Sequence, residues 1–108
     1  MATLHTDRPI CLPSLKILSD YWTLRIIDEL SGGKTLRFCE LERHLEVINT
    51  VTLTKRLRQM TNNGLVERTE KTRADVAYNL TDLGYEAIPL LRAINNFSAA
   101  KQKSDNFR

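Results

Sequence analysis

Residues 49–64, with the sequence NTVTLTKRLRQMTNNG, decide which fold we expect for this chain. Apolar side chains at intervals of about one helical turn predict a helix, and Asn49 and Gly64 are residue types that begin and end helices well. Its apolar face would carry Ile48, Leu53, Leu57 and Met60, and its other face Thr50, Val51, Thr54, Lys55 and Arg58. Such a helix packs one face on a core and presents a polar, cationic face to solvent.

The segments on either side of this helix predict a helix-turn-helix followed by a wing. A very short strand at residues 35–36 and a helix over residues 37–45 come first, and a four-residue link joins them to the next helix. Two short helices joined so tightly are typical of a helix-turn-helix. Strands over residues 65–71 and 76–80 would then pair through a turn of sequence TRAD. We therefore predict a mainly α fold with a small antiparallel β-wing.

The N-terminal part is unusually apolar. We predict a short helix over residues 14–19 and a second over 21–30, which Asp20 would cap and two glycines would close. Both helices carry apolar side chains around most of their circumference. A helix with one face in water is apolar on one stripe only. We expect this pair to be buried on two sides, by its own core and by a second copy of the chain.

The C-terminal part predicts one further helix, which Thr81 would cap and Pro89 would kink. Beyond Ala100 the polar sequence is expected to fray. The expected organisation is a flexible N-terminal arm over residues 1–12, a winged helix-turn-helix domain over 13–100 and a polar tail over 101–108.

Composition restricts the function classes. The 108 residues suit one domain with a formal charge of +3, but residues 55–73 alone hold six basic and two acidic residues, a local charge of +4. The apolar runs are too short for a membrane span, and no signal segment is evident at the start. Two cysteines form neither a disulfide framework nor a zinc motif. We expect a cytoplasmic, nucleoid-associated protein with no metal or cofactor.

With its elements laid out in this order, the chain resembles the HxlR-type winged helix-turn-helix transcriptional regulators, relatives of the MarR regulators of bacteria and archaea. The resemblance covers residues 11–97. The matching residues are Cys11, Pro13, Tyr21, Trp22, Thr23, Arg37, Phe38, Glu40, Leu41, Leu53, Arg56, Leu57, Gly64, Leu65, Val66, Arg68, Tyr78, Leu80, Thr81 and Gly84.

The resemblance implies a prokaryotic homodimer built from the N- and C-terminal helices. It places a recognition helix, about residues 50–63, in each DNA major groove and a wing, about residues 65–80, near the flanking minor groove. The partner would be a double-stranded, palindromic operator, and the effector is unknown. The resemblance also implies that Cys11 could sense oxidants, although Leu12 separates Cys11 from Pro13 where the family usually has the two adjacent.

Each candidate contact has a role and a simpler alternative. The candidates for contacts with base edges are Thr50, Val51, Thr54 and Lys55. The candidates for contacts with phosphates are Arg37, Arg43, Arg58, Lys71 and Arg73. The alternative for the wing residues is a solvated hairpin tip without DNA contacts. The candidates for the dimer interface are Leu15, Leu18, Trp22, Leu91, Ile94 and Phe97.

Arg56 and Cys11 each allow two interpretations. Arg56 lies on the flank of the buried stripe, so it either faces DNA or turns inward to pair with an acid. Cys11 is either a sensor or a half-buried thiol without chemistry, and Cys39, in a packed helix, is expected to be inert. No nucleophile, base and orienting group occur together, so an enzyme is not expected. The competing function is a winged-helix module that binds protein and not DNA.

Overall fold

A computed structural model describes residues 9–106 of the chain. Six helices and three strands follow one another in this range, and the strands form one antiparallel sheet in the order β1-β3-β2. The elements are α1 (Leu12–Leu18), α2 (Tyr21–Leu30), β1 (Leu36–Arg37), α3 (Phe38–Leu45), α4 (Thr50–Asn62), β2 (Val66–Thr72), β3 (Asp75–Leu80), α5 (Asp82–Tyr85) and α6 (Ile88–Asn106). The predicted winged helix-turn-helix fold is confirmed.

Helix α2 forms the centre of the core. The Asp20 carboxylate accepts from the Thr23 amide at 2.9 Å and so caps the first turn, as predicted. Ile26, Ile27 and Leu30 are completely buried, and α2 contacts α3, α4, α6 and β3. Burial of three such side chains contributes roughly 1.5–3 kcal/mol each before conformational entropy is counted. This packing fixes α2 beneath the helix-turn-helix.

Helix α4 has both of its predicted ends. The Asn49 side chain accepts from the Thr52 amide at 2.8 Å, and Gly64 follows the helix with a φ of +76°, a conformation that strains residues with a Cβ. The link from α3 turns at Glu46, whose φ is +57°. The predicted apolar face is confirmed, since these side chains are all buried: Ile48, Leu53, Leu57 and Met60.

The sheet joins the wing to the helices. Strand β3 pairs with β1 through Leu36 and Tyr78 and with β2 through Arg68 and Tyr78, so the Tyr78 backbone is held on both sides. The register of β2 shifts between Glu70 and Thr72, and the extra residue there is Lys71. Strand β1 spans Leu36–Arg37, one residue later than the predicted 35–36, and Arg37 is also the N-cap residue of α3.

The prediction for the C-terminal part is wrong in three respects. Thr81 caps α5, a helix of only four residues that ends at Tyr85, and α6 begins separately at Ile88. Pro89 lies in the first turn of α6, where its missing N–H breaks no helical hydrogen bond, so it does not kink a continuous helix. The polar residues after Ala100 do not fray either, since α6 continues through Asn106.

Helix α1 begins two residues earlier than predicted, with Pro13 in its first turn. None of its residues is buried within one copy of the chain, and the side chains of Leu15 and Tyr21 are exposed. The burial expected from the chain's own core is only partial in α1, where Ile17 and Leu18 are half-buried against the core, and it is complete on the inner face of α2. The predicted arm lies outside the described residues up to position 8.

Membrane spans and metal clusters are both absent from the part of the chain that the structure describes. Within residues 9–106 no helix is long and apolar enough to cross a membrane. The same residues contain no cluster of three His, Cys, Asp or Glu side chains that would hold a metal ion.

Candidate nucleic-acid interface

The outward face of α4 is polar and accessible. Its first two turns expose Thr50, Val51, Thr54 and Lys55, and Arg58 follows one turn later. Val51 is 77% exposed, although its side chain is apolar. Because Leu53 and Leu57 hold the opposite face against the core, the exposed residues are carried on a rigid support.

The threonine hydroxyls of this face are already engaged. The Thr50 hydroxyl donates to the Glu42 carboxylate of α3, which ties the start of α4 to the preceding helix. The Thr54 hydroxyl donates to the Thr50 carbonyl at 2.8 Å, one turn back along α4. Both side chains stay exposed with their hydrogen atoms directed toward protein acceptors.

A groove of about 610 Å³ lies between α4 and the wing. Its lining is partly apolar, with Leu57 and Tyr78 among others, and partly cationic. Four arginines line it, contributed by β1, α4, β2 and the wing turn: Arg37, Arg58, Arg68 and Arg73. Positive groups along a concave surface attract anions and raise their local concentration.

The four arginines differ in their partners. Arg37 Nε lies 3.9 Å from Asp75, and Arg68 donates to Glu70 at 2.9 Å. The hydrogen bond with Glu70, and then one with Tyr78, raises the pKa of Arg68 above its ordinary value, so this side chain stays charged. Among the residues that the structure describes, neither Arg58 nor Arg73 forms an ion pair.

The contacts of Arg56 decide between its two interpretations. Its Nε donates to the Asp20 carboxylate at 2.8 Å, so Arg56 turns inward and connects α4 to the cap of α2. Partial burial acts to raise the pKa of Asp20, but hydrogen bonds from the Thr23 amide, Arg56 and the Thr23 hydroxyl outweigh it and lower that pKa. Arg56 therefore belongs to the support of α4 and not to its outward face.

The predicted contacts are only partly brought together. Arg37, Thr54, Arg58 and Arg73 share the groove, whereas Lys71 and Arg43 are outside its lining. Sequence reasoning assigns no contact to Arg68, although alternation along β2 places it two residues after buried Val66. It also misses Glu42, because no local pattern connects Glu42 to Thr50 across the turn between helices.

The two cysteines are both exposed. Cys11 is the N-cap residue of α1, and the Ser14 side chain, followed by the Ser14 backbone amide, lowers the pKa of its thiol. Cys39 lines the groove beside the arginines. Helix α3 packs on the core through Leu41 and Leu45, as expected, but Cys39 itself is exposed.

Comparison with known families agrees with this geometry. Residues 17–106 match the family described as HxlR-like helix-turn-helix. The chain belongs to the HxlR family. It is 34% identical over 80 residues to the uncharacterized HTH-type transcriptional regulator YdzF of Bacillus subtilis, and the match covers 72% of this chain and 73% of YdzF.

Solved structures place this HxlR chain among the winged-helix regulators. It is similar, with a TM-score of 0.76 and 28% identity, to an Enterococcus faecalis V583 protein assigned to the MarR family, over 96% of this chain and 99% of the other. A Porphyromonas gingivalis W83 protein with the same assignment has a TM-score of 0.76 and 27% identity, with 85% and 97% covered. The HxlR chain is a transcriptional regulator of the winged-helix type.

The HxlR chain also exposes apolar residues on its terminal helices. On α6, Ile94 and Phe97 are exposed, Phe97 at 67%, and Leu91 is half-buried. On the N-terminal helices Leu15 is exposed, and Leu18 and Trp22 are half-buried. Tyr21 meets Trp22 edge-on at 4.9 Å, and the Arg25 guanidinium lies 5.7 Å from the Tyr21 ring centre.

Proposed function

We propose that this HxlR-type regulator binds a palindromic DNA operator as a homodimer. Helix α4 would enter the major groove, and the β2–β3 wing would lie near the flanking minor groove. The observation that carries the proposal is the exposed polar face of α4 beside a groove lined by four arginines. A protein-binding module would be expected to present apolar anchors at this place.

Base contacts are assigned to the first two turns of α4. Thr50, Thr54 and Lys55 have polar groups there, and the two methyl groups of Val51 suit the methyl group of thymine. These turns lie at the N-terminal end of α4, the part of a recognition helix that reaches base edges in helix-turn-helix proteins. Base preference would therefore depend on these four side chains.

Phosphate contacts are assigned to the cations around the groove and the wing. Arg58 and Arg73 are the principal candidates, because both line the groove and neither forms an ion pair among the described residues. Arg37, Arg43 and Lys71 are further candidates. Contacts with phosphate position the protein without reading sequence, and their number sets the dependence of affinity on salt.

The dimer would be formed by the apolar side chains on α1, α2 and α6. Isolated exposed apolar residues are normal in monomers, but here several large ones occur on the terminal helices. Pairing two copies through these helices would hold two α4 helices at a fixed distance. Affinity and half-site spacing would then be properties of the dimer.

A random-library selection followed by gel-shift titration tests the proposal. The wild-type chain should enrich a two-fold symmetric sequence. An Arg58→Gln variant should bind every sequence more weakly and reduce the slope of log K against log salt by about 0.9 for each phosphate that it no longer neutralises. Lys103→Gln, which removes an exposed charge near the end of α6, is the matched control and should leave the slope unchanged. Enrichment of no sequence would favour the protein-binding alternative.

A second candidate function is a redox response at Cys11. Its exposure and lowered thiol pKa favour the thiolate, the form that reacts with oxidants. Diamide should reduce operator binding of the wild type and of Cys39→Ser but not of Cys11→Ser. The Cys39→Ser control is needed because Cys39 is also exposed and lies in the groove. An equal response in the wild type and Cys11→Ser would refute this role.

A further inference from the structure

The two threonines on the outward face of α4 have hydrogen bonds whose direction is fixed by chemistry. A hydroxyl has one hydrogen to donate and two lone pairs that accept, whereas an ionised carboxylate and a backbone carbonyl only accept. Since Thr50 bonds to the Glu42 carboxylate and Thr54 to the Thr50 carbonyl, each hydroxyl must supply the hydrogen. No other assignment of these hydrogens satisfies both contacts.

This arrangement limits what the two hydroxyls offer to DNA. A free threonine hydroxyl rotates to donate to one base or accept from another, so by itself it discriminates weakly. Thr50 and Thr54 have used their hydrogens within the protein, and only their lone pairs face outward. An oxygen that can only accept is attracted to a donor and repelled by another acceptor.

We infer that Thr50 and Thr54, with Glu42 as the positioning residue of Thr50, make α4 select amino bases over keto bases at the positions they contact. In the major groove, adenine presents an N6 amino donor and cytosine an N4 amino donor, whereas guanine and thymine present carbonyl oxygens. The inference rests on the proposed DNA-binding function and adds the chemical class of base that is accepted.

The two threonines hold their hydrogens by different means. The Thr54 bond lies within α4, so it persists whenever that helix is formed. The Thr50 bond depends on Glu42, which is half-buried on α3, and a charged acceptor makes such a bond stronger than a neutral one. Mutation of Glu42 therefore releases the Thr50 hydroxyl while the Thr54 hydroxyl stays held.

The test compares random-library selections of four proteins: wild type, Thr50→Val, Thr50→Ser and Glu42→Ala. Valine has the shape of threonine without the hydroxyl, so the operator position that changes in Thr50→Val is the one that Thr50 contacts. At that position the wild type and Thr50→Ser should prefer adenine or cytosine by about threefold to tenfold, the range one hydrogen bond supports. Thr50→Val and Glu42→Ala should reduce that preference below about twofold.

A base analogue without the amino group gives a second measurement. The affinity lost with the analogue reports the contact with the amino group, and a merely structural role of Glu42 would not alter that loss. If the position is adenine, purine, which lacks the N6 amino group, is placed there in the selected operator. If it is cytosine, the analogue is 2-pyrimidinone, which lacks the N4 amino group. The wild type should lose about threefold to tenfold in affinity for the analogue, and Thr50→Val and Glu42→Ala should each lose less than about twofold.

The outcomes separate the inference from the function on which it rests. Failure of the wild type to select any sequence overturns both. A selected operator with guanine or thymine at the Thr50 position, or with no position altered by Thr50→Val, overturns the inference alone. If Glu42→Ala fails to fold by circular dichroism, Glu42→Met, which keeps the length of the side chain without a carboxylate, takes its place. The comparison of Thr50→Ser with Thr50→Val and the analogue measurement decide whether Thr50 selects an amino base.

Discussion

The ion pair between Asp20 and Arg56 gives a prediction that can be worked out from the structure. Asp20 has two roles, since it caps α2 through the Thr23 amide and accepts from Arg56 of α4. Loss of an N-cap costs about 1 kcal/mol. A hydrogen bond to a charged group contributes about 1.5–3 kcal/mol, and we take the lower end because the Arg56 and Asp20 side chains are 23% and 31% exposed.

Asp20→Ala should therefore reduce the free energy of unfolding by about 2.5 kcal/mol. Asp20→Asn is the matched control, because asparagine caps a helix as well as aspartate but carries no charge, and it should lose only about 1.5 kcal/mol. Arg56→Gln should resemble the Asp20→Asn variant. The difference between the two Asp20 variants then measures the cap, and the loss in the asparagine variant measures the pair.

Urea unfolding followed by circular dichroism is the assay, at one protein concentration because the stability of a dimer depends on concentration. The pKa of Asp20 is lowered in the folded state, so its contribution is fully present above the ordinary pKa of about 4 and is lost as the pH falls through the lowered value. The gap between wild type and Asp20→Asn should close over that acidic range. Equal losses in both Asp20 variants, or losses below about 0.5 kcal/mol, would refute the reasoning.

Three further predictions concern packing and assembly. Gly84→Ala should destabilise the chain by more than about 3 kcal/mol in urea, because its Cβ would lie 2.2 Å from the Leu65 backbone oxygen, whereas Gly64→Ala should cost only about 1–2 kcal/mol, for its positive φ. Leu53→Ala should cost about 2–5 kcal/mol in the same assay, since Leu53 is completely buried. Phe97→Asp should shift the sedimentation coefficient to that of a monomer, and an unchanged dimer would exclude Phe97 from the interface.

The parts of the fold that the sequence predicts well are those with local signals. Asp20 and Asn49 are cap residues next to apolar periodic segments, and both cap the predicted helices. Gly64 marks the end of α4 because the chain there needs a positive φ. The strand predicted over residues 76–80 lies within β3, where Tyr78 and Leu80 are buried.

The parts of the fold that the sequence does not predict depend on contacts between side chains and backbone groups. The periodic spacing of apolar residues in a helix or strand does not reveal such contacts. The division between α5 and α6 accompanies the close approach of Gly84 to the Leu65 carbonyl, two residues that lie far apart in the chain. The helix beyond Ala100 includes an ion pair between Lys101 and Asp105 at 3.1 Å, four residues apart, that favours helix over fraying.

The candidate site divides in the same way. Charge, together with position in the helix and in the wing turn, predicts Arg58 and Arg73, and both line the groove. Arg68 lines it because strand pairing brings it beside Tyr78. The bond between Glu42 and Thr50 connects two helices across a turn, so only the folded chain brings the two side chains together.

Footprinting of the selected operator, combined with the number of chains bound per duplex, tests the proposed homodimer most directly. We predict two chains per duplex and two symmetric protected half-sites whose centres are about one helical turn of 10–10.5 base pairs, or a multiple of it, apart. One chain bound to a single unpaired half-site would contradict the proposed homodimer.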